Sequence, residues 1–492
     1  MTKPLFPTKR SLSRREFLRM ASIVTAGILL AGCRQETDDQ RAPTSPPSPA
    51  GSTPTATSGS EASYYTPVDP ANTPIGAGKG IFPGRVTWIY DPEAAAWDGA
   101  SGFWWEEANT HFEPAQEMLS QALRAQTGEG DDAAAWDRLF RHFNENRGQP
   151  GGYQNGEKIA IKINMNVVGE SQSQRDNGIV NSPQMLRALL LSLVQQAGVP
   201  ASAITVYDAV RHVPDPVFHA CSGPDLDGVT VVDWAGGNGR TACTVDQDCT
   251  IRWSQDTKGS PACLPICVVE ATYLVNAALL KGHNLAGVTL TAKNHFGSFR
   301  SSWKGQDTMQ APQGANLHGF VAAHPYDWGP EWSWDGQPMG AYNALVDLVG
   351  SPHLGGKTVL YLVDALYATP DQQAIVGNNC RWSSAPFNGG WTSSLFVSQD
   401  PLAIDSVGLD FLRSEPSIQV LPDTLPAGST PDNYLHEAAL ADQPPSGTFY
   451  DPAGDGKGLA SLGVHEHWNN PVEKQYSRNL GLPEGIELVT VM

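Results

Sequence analysis

Strand-like and helix-like segments alternate along this chain, and that alternation predicts an α/β fold. The expected architecture is a mostly parallel central sheet with flanking helices and a cysteine-containing insertion. Three observations carry the prediction. Short β-branched runs alternate with period two, as in KIAIKIN at 158–164. Amphipathic stretches with helical spacing lie between such runs. Several runs end in a polar residue followed by a helix-start signal.

Taken in order, residues 86–90 read as a strand, and 114–126 and 132–146 as amphipathic helices. In 158–164 the side chains of Ile159, Ile161 and Ile163 share one face, which leaves Lys162 and Asn164 on the other. Ser182-Pro183 opens a helix with Ser as N-cap and Pro in its first turn; Leu186, Leu189, Leu190, Leu193 and Val194 form its apolar face and Gly198 ends it. Strands follow at 204–207, ending at Asp208, at 272–279, at 358–363, ending at Asp364, and at 395–397. Asp400-Pro401 then caps a helix with Ile404, Val407, Phe411 and Leu412 inward. In a parallel α/β sheet, ligands gather at the carboxyl ends of strands. Here those ends carry Asn164, Asp208, Arg211, Lys281, His283 and Asp364.

The chain has 492 residues, 40% hydrophobic and 17% charged, which is too apolar for a mostly disordered protein. Its formal charge of -19 argues against a nucleic-acid binder, which needs a basic face. The first residues are an address. Arg14 and Arg15 in SRREFLR look like a twin-arginine export signal; the apolar run 20–32 is too short to span a bilayer; and Leu30-Ala31-Gly32-Cys33 resembles a lipobox that makes Cys33 a lipid-bearing first residue. Residues 1–32 carry a net +5, so their removal leaves -24. Residues 34–78, rich in Pro, Ser and Thr, read as a mobile tether, and 79–492 as one elaborated domain with an insertion at about 221–267. The partners expected are the export machinery and, through the lipid, a membrane on the outer face of the cell or in the periplasm.

Three blocks together resemble the bacterial and archaeal family known as domain of unknown function 362: KIAIKINMN (158–166), YLVNAALLKGHNLAGVTLTAKNHFG (273–297) and SLFVSQDPLAIDSVGLDFL (394–412). The resemblance names relatives and not a reaction. Many relatives carry cysteine-rich iron–sulfur segments; this chain has no C-x2-C-x2-C run, so no iron–sulfur cluster is expected.

Within the second block, Lys281, His283, Lys293, Asn294 and His295 are crowded into an otherwise apolar stretch. Converging ammonium and amide donors suit an anion, and Lys162, Asn164, Lys281, Lys293 and Asn294 are the ligand-binding candidates. His283 or His295 would supply acid–base chemistry, with Asp208 or Asp364 orienting it or holding a divalent metal. His465-Glu466-His467 on an extended segment points two imidazoles to one side, a usable metal chelate that still needs further ligands; His283, His295, Asp364 and Asp405 are candidates. A packed loop with hydrogen-bonded histidines is the alternative.

Six cysteines remain after Cys33: Cys221, Cys243, Cys249, Cys263, Cys267 and Cys380. In an exported chain they read as disulfides, with a zinc site second. YDWGPEWSW (326–334) is an aromatic lid or a sugar-stacking surface. Three functions stay open: an enzyme for hydrolysis or group transfer on an anionic small molecule or polymer, a non-catalytic solute-binding lipoprotein, and an envelope scaffold.

Overall fold

A computed structural model describes residues 66–165, 176–257, 261–303, 306–307, 317–323, 325–327, 333–372, 374–418 and 430–492. The export signal with Arg14 and Arg15, the lipobox with Cys33, most of the tether, and 328–332 of the aromatic segment lie outside them.

The central sheet has ten strands: β1 (Arg85–Tyr90), β2 (Ile159–Lys162), β3 (Ile204–Tyr207), β4 (Thr230–Asp233), β5 (Thr241–Ala242), β6 (Tyr273–His283), β7 (Gly287–Thr289), β8 (Thr358–Thr369), β9 (Ser394–Ser398) and β10 (Glu487–Val491). Their spatial order is β10-β1-β9-β8-β6-β2-β3-β4-β5, with β7 folded back on the end of β6. β9 runs antiparallel to both its neighbours, β1 and β8, and β7 antiparallel to β6; the other pairings are parallel. The fold is therefore α/β with a mostly parallel sheet.

Alternation along the strands feeds two cores. Ile159, Ile161, Ile163, Val206, Val275, Leu362 and Val397 pack under the helices α1 (Phe112–Thr127), α2 (Asp132–Asn146) and α3 (Pro183–Leu191). Ala160, Tyr207, Leu274, Ala278, Tyr361 and Phe396 form the opposite core. Over it lie α4 (Thr291–Asn294), α5 (Pro401–Ser414) and α6 (Asp432–Ala439). Lys162 thus shares the face of Ala160, away from the isoleucines, as the period of two requires.

Caps set the helix starts. Ser182 accepts from the Met185 N–H, with Pro183 in the first turn. Asp400 accepts from the N–H groups of Leu402 at 3.0 Å and Ala403 at 2.9 Å, and also from Lys79 and Val464. One carboxylate therefore ties the start of α5 to both ends of the described chain.

Three expectations need correction. Residues 66–78, assigned by composition to the tether, are partly ordered against the C-terminal segment: Ile75 pairs with His465 and Gly76 with Val464. The cysteine-containing stretch is not a separate insertion. Its residues Thr230–Asp233 and Thr241–Ala242 extend the central sheet, and Val245–Ile251 and Ala262–Pro265 form a second, small sheet with Arg300–Trp303 and Gln306–Asp307. No disulfide joins the six described cysteines. Cys221 and Cys380 belong to the core beneath α1–α3, whereas Cys243 lies in the opposite one, so the sheet itself separates them. Burial pushes Cys221 and Cys267 up to about 12, which keeps them protonated.

Candidate functional site

Where β2, β3 and β6 end on the face of α4, a polar pocket opens. Its lining includes Lys162, Asn164, Asp208, Arg211, His283, Thr289, Lys293, Asn294 and His318, and its empty volume is about 490 Å³ with open solvent included. The enclosed cavity is about 80 Å³, room for a small ion. Strand-end residues predicted from sequence meet here because β2, β3 and β6 are adjacent and parallel.

Lys162 is buried and its ammonium donates to Asp208 Oδ2 at 3.1 Å, to Asn294 Oδ1 at 3.3 Å and to the Ile163 carbonyl. Asp208 is held by the N–H groups of Val210 and Arg211 on its other oxygen. Asn164 donates to Asn294 Oδ1 at 3.1 Å and accepts from Lys281 Nζ at 3.0 Å. Asn294 is fixed in turn, donating to Asn276 Oδ1 at 2.8 Å. Lys293 stands over the Phe296 ring, Nζ 3.5 Å from its centroid. Gly297 is required by crowding: a Cβ there would lie 2.7 Å from Lys162 Nζ and 3.0 Å from Asp208 Oδ2.

The electrostatics are lopsided. Lys162, Lys293 and Arg211 line the pocket with one carboxylate, Asp208, and Lys281 stands behind Asn164. Burial pulls Lys281 down to about 7, against the attraction of Asp371, and pulls Lys293 well below its ordinary range, with Lys281 and Arg211 repelling it further. Desolvation also lowers Lys162, where Asp208 opposes it. These amines are short of negative charge.

His283 accepts the backbone N–H groups of Leu285 at 3.0 Å and Ala286 at 3.2 Å on Nδ1. That bonding assigns the neutral ring its hydrogen on Nε2, making His283 a donor rather than a base. The Thr289 hydroxyl, buried and lining the pocket, has no hydrogen-bond partner among the described residues.

Two predicted catalytic residues are elsewhere. His295 is fully buried outside the lining; its Nε2 meets Asn276 at 3.1 Å and its Nδ1 meets Ser298 at 3.3 Å, and burial lowers it to about 3, so it is a neutral structural ring. Asp364 accepts from the N–H of Ser182 at 2.7 Å and its hydroxyl at 2.9 Å, anchoring the start of α3. Residues 287–294 divide into β7 and the short α4. Asp405 is the anchor of α4: it accepts the N–H and hydroxyl of Thr291 at 2.8 and 2.7 Å and the Ala292 N–H at 3.0 Å. Arg211 was placed at a strand end by sequence; His318, on a distant segment, gave no signal.

His465 and His467 form a second cluster, and none of the four further ligands considered for them reaches it. Their neighbours are His436 and Asp432 of α6 and Asp69 of the N-terminal segment. Glu466 points the other way and accepts from the hydroxyl of Ser477 at 2.5 Å.

The fold and this pocket define an α/β protein with a cation-rich site at its strand tips. The family model Domain of unknown function (DUF362) matches residues 159–410, slightly over half the chain, and the chain belongs to that family. The match spans β2 to the middle of α5 and so contains the whole pocket. No curated protein matches the chain.

Proposed function

We propose that this chain is an exported, lipid-anchored protein that captures a small anionic group, such as a phosphate, sulfate or carboxylate, at the strand tips. One observation carries the reading: the buried Lys162 and Lys293, with Arg211, line a pocket whose one acidic residue is Asp208, beside a Thr289 hydroxyl that has no hydrogen-bond partner among the described residues. A buried charge without a counter-charge is costly, and an anion supplies the missing partner. Lys293 and Arg211 would pair with its charge; Thr289 and His283 Nε2 would donate to its oxygens. The Arg14-Arg15 and Cys33 signals support export and anchoring, and the -19 charge supports a partner other than nucleic acid.

Turnover by hydrolysis or group transfer is a second reading. Lys281 favours it, because an amine near 7 can take up or release a proton at neutral pH.

The test is thermal unfolding with inorganic phosphate, sulfate and acetate added in turn. At least one anion stabilises the wild type in a saturable way, and Lys293→Met weakens its affinity by roughly ten- to a hundredfold. Equal stabilisation of both proteins would count against the pocket.

A further inference from the structure

We propose that His436, His465 and His467, with Asp432 and Asp69, form a binding site for one divalent transition-metal ion of the zinc class, separate from the anion pocket. The potential ligand atoms of Asp432, His465 and His467 all lie within 4.8 Å of one another, and so do those of Asp69, His436 and His465. Donors about 2.1 Å from a tetrahedral ion sit roughly 3.4 Å apart, so either triad closes on an ion by moving its donors together by up to about 1.4 Å.

The second observation is the state of the ring nitrogens. His465 Nδ1 lies 2.8 Å from the Ser406 hydroxyl, which already donates to the Leu402 carbonyl at 2.6 Å and so accepts from the ring. His467 Nδ1 lies 2.7 Å from Asp410 Oδ1, a carboxylate that can only accept. Both rings therefore spend their Nδ1 hydrogen on an outer partner and turn Nε2 inward. This is how imidazoles are oriented at metal centres, by a hydroxyl or carboxylate behind each ring. The outer shell is itself fixed: Asp410 also accepts from Arg413 at 2.6 Å, from the Trp468 N–H at 2.9 Å and from the Tyr476 hydroxyl at 2.9 Å.

Inside the cluster, the buried Nε2 atoms of His436, His465 and His467 and Asp69 Oδ2 have no hydrogen-bond partner among the described residues. His436 Nε2 approaches Asp69 Oδ2 to 2.8 Å and His467 Nε2 approaches Asp432 Oδ1 to 3.5 Å, yet neither contact has hydrogen-bond geometry. Several buried polar atoms converging without mutual hydrogen bonds are costly unless a shared partner satisfies them, and a cation does so at once. Since the two triads share His465, and its Nδ1 is engaged, its single Nε2 implies one ion. The two imidazoles and one carboxylate of each triad favour zinc or its first-row neighbours over calcium or magnesium, which prefer all-oxygen shells.

The ligands come from three places in the chain: the segment entering the domain, α6, and the closing segment paired with it. A metal here clamps both ends of the domain to α6. It also reaches the anion pocket through one connection, since Tyr434, between Asp432 and His436, donates to Asp405 at 3.1 Å.

The experiment uses the chelator-stripped mature protein, titrated with zinc alone and, separately, with cobalt(II). Wild type should bind one zinc per chain, melt at a higher temperature with zinc, and give the visible absorption of cobalt held by nitrogen and oxygen. His465→Ala and His436→Ala should lose zinc affinity by tenfold or more. Should those variants misfold, Asp69→Asn, at the half-buried rim, keeps the question decidable: its metal-free melting stays as in wild type while zinc affinity falls. Failure of wild type to bind zinc or cobalt, or binding by all three variants as tight as wild type, would overturn the site.

Discussion

At the scale of single residues, Lys281 decides most. It lies inside β6 with no exposure, holds Asn164, and is lowered to about 7 by burial. Below that value folded and unfolded chains both carry the charge, and the folded state bears the full desolvation cost. Between about 7 and the ordinary 10.5 the folded chain has released the proton and the unfolded one has not, so the penalty fades as pH rises. Without anion, wild type should therefore gain stability relative to Lys281→Met as pH rises from about 7 to about 10, read from denaturant unfolding of both proteins. A difference that stays flat would mean that Lys281 is solvated. His283 teaches a related lesson: its place at a strand end was legible in the sequence. Its role as a donor was not, because that depends on two backbone N–H groups from the turn into β7.

At the scale of elements, the pocket depends on α4, one turn of helix too short to hold itself. Asp405 supplies what propensity lacks. Asp405→Ala should leave the Thr291 hydroxyl and two N–H groups unsatisfied, cost about 2–4 kcal/mol, and weaken anion binding although the residue is outside the pocket. Unfolding and anion titration on one preparation check this; full affinity in a destabilised protein would mean that α4 needs no anchor. The sequence offers Asp405 only as a further metal ligand, because its partners Thr291 and Ala292 are brought to it by the tertiary fold. The period of two in KIAIKIN correctly gave the side on which Lys162 lies, because strand geometry is local. Asp364 and His295 misled because strand-end position says where a side chain starts and not what it meets: one caps α3, the other fills the core. Asp69, Asp432 and His436 gave no readable signal at all, since only the tertiary fold brings them to His465.

At the scale of the molecule, the acidic chain concentrates several of its cations in one buried place, an imbalance that the proposed anion would offset. The N-terminal address and the pocket are independent claims. Cys33→Ser should abolish metabolic lipid labelling while leaving anion binding by the isolated protein intact; labelling that survives would dismiss the anchor alone. The α/β class and most strands of the sheet were legible, since burial on both faces leaves strong apolar runs. The edge strands β4 and β5 were taken for an insertion because edge strands carry weaker patterns and cysteines there suggested cross-links. Cys221 and Cys380 instead lie in one core, and Cys243, Cys249 and Cys267 in or against the other.

The central claim is that a bound anion restores charge to buried lysines, and proton uptake tests it most directly. Calorimetric titration of the stabilising anion, at about pH 8 in two buffers of different ionisation enthalpy, measures the protons taken up on binding. The account predicts net uptake in wild type, reduced in Lys281→Met. Binding with no proton uptake in either protein would contradict it.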